Sequence, residues 1–294
     1  MRWKSDLVLL FVAAVWGSGF VAQRLATTQL STLYFNGGRF LLAALVIFLA
    51  ARFIRLGPVQ PFDRKQIPWM MLAGSLLFAA AYLQQAGLYS TSIGNASFIT
   101  GLYVVIIPLI LFVIFRQQIT WISWAAVGLA AIGGLLLSLQ GELRLAPGDA
   151  LELLGALMWA MHVILVGRLA QQGVDVLLFS VFPVATCGAL NLGLALVLEP
   201  QGLASLFLSW QVVLYSALIP IGLGFTLQIA GQKHAPPVDA AIILSMEAVF
   251  GTLFGYLFMN ETLAARQLAG CALILAAMVL AQIRPGEALK LETA

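Results

Sequence analysis

Residues 82–108 read YLQQAGLYSTSIGNASFITGLYVVIIP: one apolar run closes, small and polar residues interrupt it, and a second apolar run begins. Moved 144 positions along the chain without a gap, the stretch falls on residues 226–252, TLQIAGQKHAPPVDAAIILSMEAVFGT. Leu83 then meets Leu227, Gln84 meets Gln228, Gly87 meets Gly231, Asn95 meets Asp239 and Ala96 meets Ala240. One register held across a span, a turn and the next span marks an internal repeat, and the 294 residues are close to twice the offset. The chain therefore divides into two tandem halves, 1–145 and 146–294.

Composition sets the solvent of these halves. Hydrophobic residues make up 62% and charged ones only 9%, where a soluble globule carries about a quarter charged. The mean hydropathy is +1.00, so the expected fold is an all-α integral membrane protein. The net charge of +3 gives no reason to expect a nucleic-acid partner. Cys187 and Cys271 both lie inside apolar runs and read as packing residues, neither a disulfide nor a metal site. The first apolar run contains Trp16 and ends near Arg24 without a small-residue cleavage pattern, so it reads as a first span and not as a removable leader.

A helix needs roughly 20 apolar residues to cross a bilayer. On that rule ten spans are expected, at about 6–26, 32–52, 67–88, 93–115, 121–140, 149–168, 176–198, 210–231, 238–259 and 263–283. They are separated by short turns such as Leu56-Gly57-Pro58, Pro147-Gly148-Asp149, Glu199-Pro200-Gln201-Gly202 and Ala235-Pro236-Pro237. With the N-terminus inside, the inner segments carry Arg2, Lys4, Arg52, Arg55, Arg64, Lys65, Arg116, Arg168, Lys233, Arg284 and Lys290, against Arg24, Arg144 and Arg266 outside. The excess of basic residues places both termini in the cytoplasm. Five spans per half is an odd number, so the second half enters the bilayer from the opposite side. Inverted repeats are how secondary transporters build a midplane site that two halves can rock around.

Polar side chains inside spans are the candidates for that site, because hydrocarbon penalises them unless they have a use. Trp16 and Trp159 sit mid-span, 143 positions apart, as two aromatic walls or as packing between helices. Trp3, Trp69, Trp121, Trp124 and Trp210 sit at span ends, as an interfacial belt requires. Glu247 reads as the sole carboxylate deep in a span, suited to a proton or a substrate cation, or bonded to a neighbour such as Arg39. Arg39 reads first as a residue snorkelling to the interface. His162 follows Trp159 by three positions and reads as a packing residue or a proton relay. Gln84 and Gln228 are a symmetry-related pair able to hold a polar substrate or to bond helix to helix. Asn95 and Asp239 have the chemistry of N-caps. Gly17 and Gly19 on the first span, and Gly251 and Gly255 on the ninth, offer faces for close helix approach. There is no P-loop, nucleophile elbow or metal-spaced cluster, so neither ATP-driven pumping nor a cofactor is expected.

The segments AVWGSGF at 14–20, NASFITGLYVVIIP at 95–108 and SMEAVFGTLFGYLFMNETLAARQLAG at 245–270, on ten spans in two halves, resemble the EamA-type members of the drug/metabolite transporter superfamily. The resemblance implies a basket of ten helices whose cavity is lined mainly by the first, third, fourth, sixth, eighth and ninth spans. It further implies efflux of amino acids or similar small metabolites. The family's Leu-Glu-Pro of the ninth span stands here as Met246-Glu247-Ala248, which keeps the glutamate and loses the helix-bending proline, while Pro108 remains in the fourth span. The end of the ninth span reads Asn260-Glu261, with Glu261 taken as structural.

The expectation is thus an inner-membrane exporter working by alternating access on a small-molecule substrate, driven by protons or by the substrate gradient alone. Trp16, Tyr82, Tyr103 and Trp159 would supply aromatic surface, Gln84, Gln228 and His162 polar contacts, and Glu247 and His162 the coupling groups. A facilitative permease is the alternative within transport. An intramembrane enzyme or a non-transporting membrane receptor is the alternative outside it.

Overall fold

The computed structural model describes residues 2–54, 64–91, 93–138, 147–172, 175–199, 203–259 and 264–282, and among them all regular structure is helical. Hydrocarbon offers no partner for a backbone amide, so each crossing segment must close its hydrogen bonds within itself. The first three spans are α1 (Arg2–Ala26), α2 (Thr32–Phe53) and α3 (Ile67–Gly87), and the fourth is the pair α4 (Ile93–Gly101) and α5 (Tyr103–Val113). α6 (Trp121–Ser138) ends the first half, and α7 (Pro147–Gln171) and α8 (Val176–Leu198) open the second. After the short α9 (Leu203–Leu208), the eighth span combines α10 (Trp210–Ser216), a π-helical segment Ala217–Leu223 and α11 (Gly224–Gln232). The ninth is α12 (Pro237–Leu244) with α13 (Met246–Met259), and α14 (Ala265–Gln282) is the tenth.

Among the described residues, eight helical spans are long and apolar enough to cross a membrane, and two shorter apolar helices, Trp121–Leu136 and Ala265–Ala281, fall at the remaining two expected spans. Caps fix some of the entries. Ser31 Oγ accepts from Tyr34 N at the start of α2, and Asp175 Oδ1 accepts from Leu178 N at the start of α8. Asp239 does not cap: Pro236 is the N-cap of α12, and Asp239 is its third residue, where a carboxylate meets the positive end of the helix dipole. The side chain of Asn95, and Arg55, Arg144, Glu261, Arg284 and Lys290 entirely, lie outside the described residues.

The packing carries the two-fold relation of the halves. The second and seventh spans pack on each other (α2 on α8), as do the fifth and tenth (α6 on α14). The first span packs on the eighth and ninth (α1 on α11 and α13), while the sixth packs on the third and fourth (α7 on α3, α4 and α5). Exchange the halves and every one of these pairings maps onto another.

The broken fourth and ninth spans follow the same symmetry. Leu102 (φ −61°, ψ −12°) separates α4 from α5, and Ser245 (φ −61°, ψ −14°) separates α12 from α13. Each is followed by a tightened bond, Val105 N to Leu102 O at 2.9 Å and Ala248 N to Ser245 O at 3.1 Å, as in a 3₁₀ turn. The loss of the ninth-span proline put symmetric bending in question, yet both spans break one or two residues before Tyr103 and Glu247. A 3₁₀ turn needs no proline, and Ser245 Oγ donates back to Ile242 O at 2.7 Å, a contact that bends helices.

α1 and α13 touch through their backbones. A Cβ on Gly17 would lie 2.5 Å from Phe250 Cβ and 2.7 Å from Gly251 N, whereas a Cβ on Gly251 would meet nothing nearer than 3.7 Å. Gly19 faces Pro220 of the π segment at 3.2 Å, and Gly255 is buried one turn beyond Gly251. Gly17→Val is therefore expected to lower stability by about 1–3 kcal/mol through overpacking, while Gly251→Ala leaves it nearly unchanged. Thermal unfolding of the two detergent-purified variants checks the contrast.

Candidate functional site

A central cavity, with about 540 Å³ of atom-free space, lies between the halves. The first half supplies Trp16, Gly19, Phe20 and Gln23 from α1, Arg39 and Phe40 from α2, Ala81 and Gln84 from α3, Thr100 from α4 and Tyr103 from α5. The second supplies Trp159 and Val163 from α7, Pro220, Ile221 and Phe225 from the eighth span, and Glu247 from α13.

Aromatic rings form one side. Trp159 stacks on Phe225 at 5.9 Å, and Trp16 lies 6.0 Å from Trp159 and 5.2 Å from Phe225. The indole of Trp16 is fixed by donation from Nε1 to Pro220 O at 3.0 Å, an oxygen presented by the π segment. Gly224 leaves the room, since a Cβ there would sit 2.7 Å from that same Nε1.

Charge occupies the rest of the wall. Glu247 is buried beside Tyr103, close enough for the two to interact, while its Oε1 has no hydrogen-bond partner in the protein. Arg39 is 4% exposed. It is not the snorkelling residue expected, because Asn36, Gln23 and two phenylalanine rings hold it between the helices. Nε donates to Asn36 Oδ1 at 3.0 Å, Nη2 reaches Gln23 Oε1 at 3.5 Å, and the guanidinium lies over Phe35 and Phe40. Its recorded acceptors are neutral oxygens, so it is not paired with Glu247 and retains donors for an anion.

A cavity shared by two five-span halves of this geometry has counterparts among known proteins. The family model of the EamA-like transporter family matches the chain twice, over residues 3–139 and 146–282. The chain belongs to the EamA-like transporter family. It is 28% identical over 292 residues to a protein of Archaeoglobus fulgidus described as an uncharacterized transporter, covering 96% of this chain and 87% of that one. A solved crystal structure aligns with a TM-score of 0.76 at 19% identity, over 96% of this chain and 99% of that chain, which shows the shared fold.

Within this EamA fold the sequence candidates separate into three groups. Trp16, Gln84, Tyr103, Trp159 and Glu247 lie on the cavity wall. His162 lies behind it: Nδ1 is 2.9 Å from Ala73 O, and the ring packs edge-on against Trp159 and Phe225. Tyr82 is on the outer surface, 37% exposed and stacked on Phe78, because it falls two positions before Gln84 and so on another face of α3. Gln228 is fully buried and its two amide atoms find no partner in the protein. Pro108 is buried in α5.

Glu247 is also not the sole buried carboxylate. Glu152, fully buried near the start of α7, accepts from Thr100 Oγ1 at 3.1 Å, and that hydroxyl accepts from Gln84 Nε2 at 3.0 Å. Glu152 was not among the sequence candidates although it falls within the span expected at 149–168, and Gln23, Thr100 and Phe225 were not either, since neutral or aromatic single residues carry no spacing signal. The paired glutamines of the EamA repeats are thus unequal in their surroundings. Gln84→Leu is expected to cost about 1–3 kcal/mol by stripping a donor from this buried chain, whereas Gln228→Leu is neutral or stabilising. Their thermal midpoints in detergent would differ accordingly.

Proposed function

We propose that this membrane transporter exports small amino-acid-like zwitterions across the cytoplasmic membrane, from a chain whose two termini face the cytoplasm. The observation that carries the reading is the presence of an arginine and a glutamate, not bonded to each other, in the lining of one cavity. Arg39, on the first half, has donors suited to a carboxylate. Glu247, on the second, has an unpartnered oxygen suited to an ammonium group. The indoles of Trp16 and Trp159 in the same cavity lining offer apolar and cation-binding surface. A ligand bridging Arg39 and Glu247 would tie the halves together, and loss of that bridge would free them to rock about the inverted-repeat axis. Glu247 also serves as the proton-exchanging group when substrate leaves, since a carboxylate in a dry cavity is best left with either an ammonium or a proton.

Binding to the detergent-purified protein, read by thermal stabilisation across an amino-acid panel, tests the reading. Zwitterions are expected to raise the unfolding midpoint. Arg39→Gln should weaken binding of acids and zwitterions but not of carboxylate-free amines, on the order of ten- to a hundredfold, and Glu247→Gln should do the converse. In proteoliposomes Glu247→Gln should also remove the dependence of flux on an imposed pH gradient. Absence of stabilisation by any zwitterion, or equal affinities in both variants and the parent, would overturn the assignment.

A further inference from the structure

The repeat relation sets a polar device, built from Gln84 and Thr100 of the first half and Glu152 of the second, against an apolar counterpart. Gln84, Thr100 and Glu152 correspond, by the 144- and 143-residue offsets of their spans, to Gln228, Leu244 and Leu9. Packing supports the correspondence independently: a Cβ on Gly87 would lie 2.7 Å from Glu152 Oε1, and one on Gly231 would lie 2.7 Å from Leu9 Cγ. Where the second-half glutamine has buried leucines at the corresponding positions and no hydrogen-bond partner in the protein, the first-half glutamine joins a continuous chain. It runs from Gln84 and Thr100 on the cavity wall to Glu152 behind it.

Glu152 lies one helical turn from Asp149, which accepts from the Thr91 hydroxyl. Thr91 and the exposed Ser90 belong to the α3–α4 connection, where Arg24 closes the end of α1 by donating to Leu88 O at 2.6 Å. Of the two Glu152 oxygens, Oε2 is held by Thr100, and Oε1 has no partner in the protein.

We propose that Glu152 is a second proton-exchanging carboxylate, set between the α3–α4 end of the bundle and the central cavity and linked to the cavity through Thr100 and Gln84. A hydronium ion gives its proton to Oε1, breaking one of its O–H bonds and leaving water as the carboxyl O–H bond forms, while Oε2 keeps its bond to Thr100; release to water reverses the step. Loss or gain of that charge alters how firmly Thr100 and Gln84 are held, and with them the fourth span beside its break at Leu102. The groups around Glu152 are Gly87 and Gln84 of α3 and Thr100 of α4, and the charged group acting on it is Asp149 of its own helix. The other titratable groups on elements that pack against α7 stand elsewhere. Tyr82 is on the outer surface, Tyr103 is beside Glu247, and Asp239 is at the start of α12, near the opposite end of α7, where Gln171 reaches Ala235 O. The proposal rests on the transport reading, but its test requires no transported ligand.

Infrared difference spectra of the full-length protein in lipid nanodiscs, taken between acid and alkaline buffer, should contain the carbonyl stretch of a protonated carboxyl that is absent in Glu152→Gln and present in Glu247→Gln. Thr100→Val should move the midpoint of that component by about one pH unit, the equivalent of one hydrogen bond, and Thr100→Ser should restore it. A spectrum unchanged by Glu152→Gln, or a component indifferent to Thr100→Val, overturns the proposal. Should Glu152→Gln fail to accumulate, the Thr100 pair decides alone. Transport by Glu247 variants can fail while these spectra hold, so the two proposals are separable.

Discussion

The contact between α1 and α13 at Gly17 sets the geometry from which the cavity is built. Two helix backbones approach so closely there that a single methyl group would meet Phe250 and the Gly251 amide at the same time. In a membrane, where no hydrophobic force drives helix against helix, such approach supplies the packing that holds spans together. It places Trp16, one residue before Gly17, and Glu247, one turn before Gly251, on the same wall. By the repeat relation α7 packs on α4 and α5, and Trp159 comes to the same wall as Tyr103. Aromatic groups of both halves and the carboxylate of Glu247 thus converge because the helices carrying them cannot separate without losing their closest contacts.

Upon this symmetric scaffold the side chains are not symmetric. Tyr103 stands opposite Glu247, Thr100 opposite Leu244, and Glu152 opposite Leu9. Each substitution places polarity in one half where the other half has a different group or none. Buried polar atoms in low dielectric are costly unless partnered, and the first half partners Gln84 while the second leaves Gln228 alone.

Much of this architecture was legible in the sequence because it rests on periodic or repeated signals. Apolar run length gave the ten spans, and the 144-residue register linked Gln84 to Gln228 and Tyr103 to Glu247. What the sequence did not carry was facing. Tyr82 and Gln84 are two residues apart, and only the packing of α3 on α7 turns the first outward and the second inward. Arg39 looked near enough to a span end to reach water, yet Asn36, Gln23 and two phenylalanine rings hold it inside. Glu152 falls within the span expected at 149–168 and was not among the candidates, although Gly87 opposite it is the residue that makes the space. The breaks at Leu102 and Ser245 have no composition in common, and the π segment at Ala217–Leu223 had only Pro220 to announce it.

That π segment is a stored length of chain. A π turn holds more residues than an α turn, so Ala217–Leu223 keeps α10 and α11 out of the phase that one uninterrupted α-helix would impose. Each residue of register is worth about 100° of rotation about the axis. Conversion of the segment to α geometry would swing Phe225 away from the stack it forms with Trp159, and would withdraw the Pro220 carbonyl from Trp16 Nε1. The eighth span thus holds the aromatic side of the cavity by two contacts that its π geometry sets, the Pro220 carbonyl on Trp16 and Phe225 on Trp159.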